Sequence, residues 1–189
     1  MDAIQLLQQR VSHLKLQAPA PNAEALEIIM QAALRAPDHA NLTPWEFIVC
    51  ENEQLDILAD WFTQSAIAHN KSAADIQRAG QLPLRAPMII VALMRYQEHP
   101  KVPRVEQIGS TACAVMAMQM AAFAQGYGGV WRTGDYAHCE KVKQNFGLSA
   151  NDEIIGYLYL GTPAADAGAK PKRPTERYFR HQLVINNEV

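Results

Sequence analysis

At 189 residues and 49% apolar content, the chain is long enough to bury a sizeable core and fits one domain better than two. Its 17 Lys and Arg stand against 19 Asp and Glu, a net charge of −2, which excludes a standing attraction to nucleic acid or anionic lipid. A small-molecule partner is the expectation.

The opening MDAIQLLQQR has neither the basic start nor the apolar run of a signal peptide, so a cytoplasmic location is expected. Ala3, Leu6 and Leu7 give residues 2–10 the spacing of a short amphipathic helix, and an extended loop runs from Val11 to Pro21. Asn22 is a suitable N-cap for a helix lined by Leu26, Ile29, Met30 and Ala33. Pro37 stops that helix just after Arg35, whose cation suits a last turn. Trp45 to Glu51 reads as a strand, Gln54 to Ile67 as a helix on it, and Ala73 to Ala79 as a second, polar helix. Pro87 then opens MIIVAL, a continuous apolar strand whose two faces must both be covered. Val105 to Gln125 is a central helix, apolar nearly all round; its longest run, Thr111 to Ala124, contains Gln119 and falls short of the roughly 20 residues of a membrane span. Gly128 to Thr133 is a strand, Tyr136 to Phe146 a helix ended by Gly147, and Glu153 to Leu160 another strand. Residues 164–189 form a small, polar, proline-bearing tail to a single domain of residues 1–189. The three cysteines are odd in number, with no CxxC and no zinc-like His spacing. Free thiols are expected, Cys50 in a strand, Cys113 in a buried helix and Cys139 on a helix near His138.

Helices between strands, after two opening helices, point to a three-layer α+β sandwich around a mixed sheet. The dinucleotide-binding α/β alternative requires GxGxxG after its first strand; WEFIVCENEQL has no glycine, and neither GxGxxG nor GxxxxGK[ST] occurs in the chain. No GxSxG turn and no two-His helical pair supports a hydrolase.

The remaining candidates are separated basic and polar residues, each open to two readings. Arg10 and Ser12 can bind a phosphate, or be a helix-end cation and a loop serine. Arg35 and His39 flank the turn in RAPDH, which is either a site or a helix end followed by a solvated histidine. Trp131, Arg132 and Thr133 follow two glycines that either let backbone approach a ligand or make a tight turn. Met116, Met118 and Met120 suit core packing. The small residues of AAFAQG, Ala121 to Gly126, suit close packing against a sheet.

In combination these pieces go further. The opening MDAIQLLQQRVS, RAPDH before PWEF, LRAPMIIV, KVPRVEQ, AVMAMQMAAFAQGYGGVWRTG and GYLYLGTP resemble the nitroreductase family from residue 2 to about Pro163. The resemblance implies an α+β homodimer with a helical interface, binding FMN in clefts between subunits and reducing nitro compounds or quinones with NADH or NADPH in two alternating steps. It places the family's N-terminal flavin motif on Arg10, Val11 and Ser12, with Val11 departing from the usual arginine. It places a second flavin segment on Arg35 and His39, the latter offered across the interface, and a third on Trp131, Arg132 and Thr133. Ala121, Ala122, Phe123, Ala124, Gln125 and Gly126 match the segment assigned to the nicotinamide. The basic tail, with Lys172 and Arg173, is longer than the resemblance leads one to expect. Two other classes stand beside the enzyme: a flavin store or redox sensor without turnover, and a hydrolase or transferase built on His and Cys.

Overall fold

The computed structural model of the chain describes residues 2–168 and 171–181. In chain order its elements are α1 (Ala3–Gln9), β1 (Leu16–Gln17), α2 (Ala23–Ala33), β2 (Trp45–Glu51), α3 (Glu53–Ala68), α4 (Ala73–Gln81), β3 (Met88–Met94), α5 (Arg104–Ala124), β4 (Gly128–Arg132), α6 (Glu140–Asn145) and β5 (Glu153–Pro163). Helix starts follow ordinary capping chemistry. Asp2 and Gln5 cap α1 reciprocally, and the Asn22 and Ser72 side chains accept the amides of Ala25 and Asp75.

The strands form one five-stranded sheet in the order β1-β5-β3-β2, with β4 also paired to β5. Every pairing among the described residues is antiparallel, where a mixed sheet was expected. The apolar run of β3 requires cover on both faces but does not discriminate parallel from antiparallel neighbours. Cover is what the fold supplies: all seven residues of β3 are buried. Met88, Ile90 and Ala92 share a core with Ile29 and Ala33 of α2 and with Ala114, Val115 and Met118 of α5. Ile89, Val91 and Leu93 face the other way, onto Leu58 and Phe62 of α3 and Val142 of α6. Each fully buried Ile or Leu contributes about 2 kcal/mol, so this strand is the centre of the fold.

Several local expectations are corrected. Helix α2 ends at Ala33, so Arg35 lies just past it rather than in its last turn. The helix expected over Tyr136 to Phe146 is split into a 3-10 turn, Asp135–Ala137, and α6, which begins after Cys139 and ends before Gly147 at φ 64. Strand β1, within the expected loop, pairs Leu16 with Pro163. Helix α5 spans 21 residues and is long and apolar enough to cross a membrane, yet it lies against the sheet. Nor is it buried all round: Val105 and Met116 are 70% and 51% exposed, and Cys113, expected in the core, is exposed too. Of the expected tail, residues 164–168 and 171–181 lie at the surface. Positions 169–170 and 182–189 lie outside the described residues.

A polar cluster fixes the start of β5. Asp152 accepts the amides of Tyr96 and Ser149, each at 2.8 Å, and sits 3.6 Å from Arg95. Burial raises the Asp152 pKa, but the two amides and Arg95 outweigh it and hold the carboxyl below its ordinary value. A few residues on, the pairing of β3 with β5 shifts between Ala92 and Leu93. At this bulge Gly156 has φ 146, and a Cβ there would collide with the Trp131 indole and stand 2.7 Å from the Arg132 carbonyl oxygen.

Two outcomes follow for stability, both checked by urea unfolding. Asp152→Ala leaves the amides of Tyr96 and Ser149 without their charged acceptor and is expected to cost about 1–2 kcal/mol near neutral pH. Because the folded pKa is lowered, this contribution is present above the unfolded carboxyl's 3.8 and is lost as pH falls through the lower folded value, so the variant shows a shallower decline below about pH 4. Gly156→Ala is expected to cost ~1–3 kcal/mol by overpacking and to change Trp131 emission; unaltered stability and emission would contradict this packing.

Candidate functional site

Arg10 is the C-cap of α1, and its backbone turns there into an extended arm. That arm crosses the beginning of β4, where the His13 amide donates to the Gly129 carbonyl at 3.1 Å. Close passage is possible because position 128 lacks a side chain: a Cβ on Gly128 would lie 2.6 Å from Leu16 and 3.1 Å from His13. The two glycines are therefore explained first by this chain's own packing. Ser12 is pinned between two donors, with Arg10 Nη1 and Gln119 Nε2 each 3.4 Å from its hydroxyl. Gln119 also donates to the Gly129 carbonyl at 2.9 Å, so one buried amide of α5 ties the arm to β4. Arg10 has no ion-pair partner among the described residues. Val11 is 8% exposed and faces the protein, so it supplies packing rather than charge.

The second pair of candidates lies elsewhere. Arg35 is exposed and forms no ion pair among the described residues. His39 begins a 3-10 turn, and its Nδ1 bonds the Glu106 carboxylate at 2.8 Å. Ala40, Asn41 and Thr43 all have positive φ, between 49° and 62°, a concentration of backbone strain beside a candidate residue. Helices α2 and α5 run antiparallel: Gln125 at the end of α5 reaches the Ala25 carbonyl, while Glu106 at its start holds His39. Glu106 and Gln119 are ~20 Å apart along the helix axis. His39 consequently does not meet Arg10 and Ser12 within one chain.

Strand β4 divides the third group. Trp131 packs into the core on the α5 side and donates its indole N–H to the bulged Ile155 carbonyl at 3.1 Å. Strand alternation sends Arg132 to the opposite face, with its guanidinium 5.8 Å from the centre of the Tyr159 ring. Its side chain is thus on the far side of the sheet from Ser12. There a cavity of about 600 Å³ opens between β4 and α3–α4, lined by Arg78, Arg85, Arg132 and the rings of Phe62, Tyr136 and Tyr159. Thr133 and Gly134 form its rim.

Ala121 to Gly126 is the stop of α5. The Tyr127 amide returns to the Ala122 carbonyl at 3.0 Å and Gly126 takes φ 88, the left-handed closure that favours glycine. Ala122 is fully buried, whereas Ala124 and Gly126 are exposed.

Four residues of these sites carried no motif. Gln119 was legible only as the lone polar residue in an apolar run. His13 is buried, stacks on Phe123 with ring centres 6.1 Å apart, and its Nδ1 has no partner among the described residues. Burial lowers the His13 pKa, with Asp166 opposing. Arg85 and Tyr159 join the cavity through strand pairing, which spacing does not reveal.

Comparison with known proteins agrees with this architecture. The chain is 45% identical over 179 residues to "Putative NAD(P)H nitroreductase YdjA" of Escherichia coli (strain K12), covering 95% of this chain and 98% of that one. Among solved structures, a nitroreductase-like family protein from Bacillus cereus superposes with a TM-score of 0.81 at 21% identity, covering 98% of this chain and 97% of that one. A Desulfovibrio desulfuricans protein described as a "putative nitroreductase in complex with fmn" gives a TM-score of 0.74 at 21% identity, over 98% and 99% of the two chains. At these identities the structural likeness speaks for the fold. The Nitroreductase family model matches residues 7–162, and with the extent of the sequence identity this makes the chain a member of the nitroreductase family.

Proposed function

We propose that the chain is an FMN-dependent oxidoreductase that takes hydride from NADPH or NADH and delivers it to a nitro compound, a quinone or a similar small acceptor, acting as a cytoplasmic homodimer. The observation that carries this reading is the unpaired Arg10 guanidinium against the Ser12 hydroxyl on the arm over β4. The residues fit the cofactor: Arg10, Ser12 and Gln119 offer N–H and O–H donors on one spot with no carboxylate ion-paired to Arg10 among the described residues, a combination suited to a phosphate. Family membership and the NAD(P)H in the name of the Escherichia coli relative support the reductant.

Two features support a second copy. His39 is ~20 Å along α5 from Ser12, so a site using both requires two chains. The exposed apolar residues Val105, Cys113 and Met116 form a stripe on α5, and Ile4 and Leu7 of α1 are 63% and 60% exposed. Exposed apolar residues of this kind on two helices are suited to burial in an obligate interface. The three thiols are unpaired, in keeping with a reducing compartment.

When bound, FMN supplies the hydride relay between nicotinamide and acceptor, chemistry for which no side-chain nucleophile is needed. The chain's own part is placement. Arg10 neutralises the phosphate. Gln119 holds the Ser12 hydroxyl in position and fixes its distance from β4. Trp131, locked to the Ile155 carbonyl, keeps the strand end through Thr133 rigid beside the ring. His39 of the second copy would close the cleft and exclude water, Arg35 would add a cation to it, and the end of α5 from Ala121 to Gly126 would border the nicotinamide.

Purified protein is expected to be yellow and dimeric by light scattering, releasing FMN on denaturation. Arg10→Ala is expected to weaken FMN binding by about 1.5–3 kcal/mol in a fluorescence titration, the worth of a charged hydrogen bond. Arg132→Ala, whose guanidinium lies across the sheet, weakens it less. A colourless monomer that ignores added FMN would overturn the reading, and steady NAD(P)H consumption with a quinone or nitroarene separates a reductase from a flavin store.

A further inference from the structure

The cavity on the far side of β4 has a charge arrangement that the flavin reading does not use. Arg132 is half-buried at its base, and its Nε is buried with no hydrogen-bond partner among the described residues. Arg85, on the 3-10 turn Pro83–Arg85, lies on the same cavity wall as Tyr159. Burial pushes the Tyr159 hydroxyl up to about 12, while Arg132 and then Arg85 pull it down, which puts both cations within electrostatic reach of that oxygen. Two carboxylates also line the cavity, and neither is ion-paired to Arg85 or Arg132. Asp75 accepts from Ser72 at 2.7 Å, and Asp135 pairs with Lys71 at 3.3 Å. Neither Arg85 nor Arg132 has an ion-pair partner among the described residues.

Two guanidinium groups lining one cavity, one of them with a buried N–H that has no partner among the described residues, are suited to an anion that accepts planar, paired hydrogen bonds. The other walls select for a ring. Phe62 and Tyr136 stack with centres 4.3 Å apart and an interplanar angle of 9°, and the Tyr159 ring lies under Arg132. The volume, about 600 Å³, lies within the range of small-molecule sites.

We propose that this cavity binds an aromatic carboxylate on Arg85, Arg132 and the Tyr159 hydroxyl, and that such anions are the acceptor class of this chain; the acceptor role rests on the flavin reading, while the anion site stands on the cavity itself. The cavity rim, Thr133 and Gly134, continues the strand end expected beside the flavin, and it is at this rim that a ligand anchored on the cations would have to approach the ring. For a nitrobenzoate the step balances simply. Hydride from NAD(P)H and a proton from solvent go to the nitro group, one N–O bond breaks, water leaves and a nitroso group remains. NAD(P)H becomes NAD(P)+, and the carboxylate is unchanged.

The test is calorimetric titration of the protein as purified with benzoate and with benzamide, its neutral counterpart. Benzoate is expected to bind at least about tenfold tighter, and Arg85→Gln to remove that preference, as loss of one charge-assisted contact requires. Arg85 is exposed, so the variant is expected to fold, and its FMN content should equal that of the unmodified protein. In turnover, Arg85→Gln is expected to raise the KM for 4-nitrobenzoate about tenfold without a comparable rise for nitrobenzene. Equal binding of benzoate and benzamide overturns the anion site, and an equal KM rise for both nitroarenes overturns the acceptor class. Loss of FMN in Arg85→Gln would assign these cations to the flavin and overturn the proposal while leaving the flavin reading intact. A protein that never takes up FMN removes that reading and the acceptor role, and the benzoate comparison still decides the anion site.

Discussion

Burying β3 on both faces obliges the chain to build two helical layers, and each layer then shapes its own chemistry. On one side α5 and α2 press on Met88, Ile90 and Ala92, and the arm from Arg10 to His13 is tied down through Gln119. On the other, α3 and α6 press on Ile89, Val91 and Leu93, and the gap left beside α4 becomes the cavity. Strand β4 is the shared wall. Its two-residue alternation gives Trp131 to one side and Arg132 to the other, so neighbours in sequence serve different spaces.

How much of this could be read from the chain depends on whether the determining contact was local. The Asn22 cap, the apolar run of β3 and the turn at Gly147 are written in adjacent residues, and they fall where expected. Strand direction is not local, which is why the sheet proved antiparallel. Helix α5 misled for a related reason: an apolar stretch reads the same whether every face packs on the chain's own core or one is left exposed, and Val105, Cys113 and Met116 are exposed. Arg10 and Ser12 were legible because two positions separate them. Arg85 was not, since only the pairing of β3 with β5, and β5 with β4, carries it to Arg132.

The candidate sites also carry the fold's local costs. Positive φ at Ala40, Asn41 and Thr43 and the orphaned nitrogens of His13 and Arg132 each cost stability that the sheet core must offset. These lie at the RAPDH turn, at the arm and in the cavity, and positive φ also occurs at Asn52 and Asn70, in the turns that flank α3.

The antiparallel packing of α2 on α5 has one more consequence. If each cleft combines Arg10 from one subunit with His39 from the other, a two-fold pair holds two equivalent clefts, and every subunit lends half of each. Mixing subunits damaged only at Arg10 with subunits damaged only at His39 would then gather both lesions into one cleft and leave the other whole. Two inactive parents could restore a working centre in their hybrid, the behaviour geneticists call complementation between alleles.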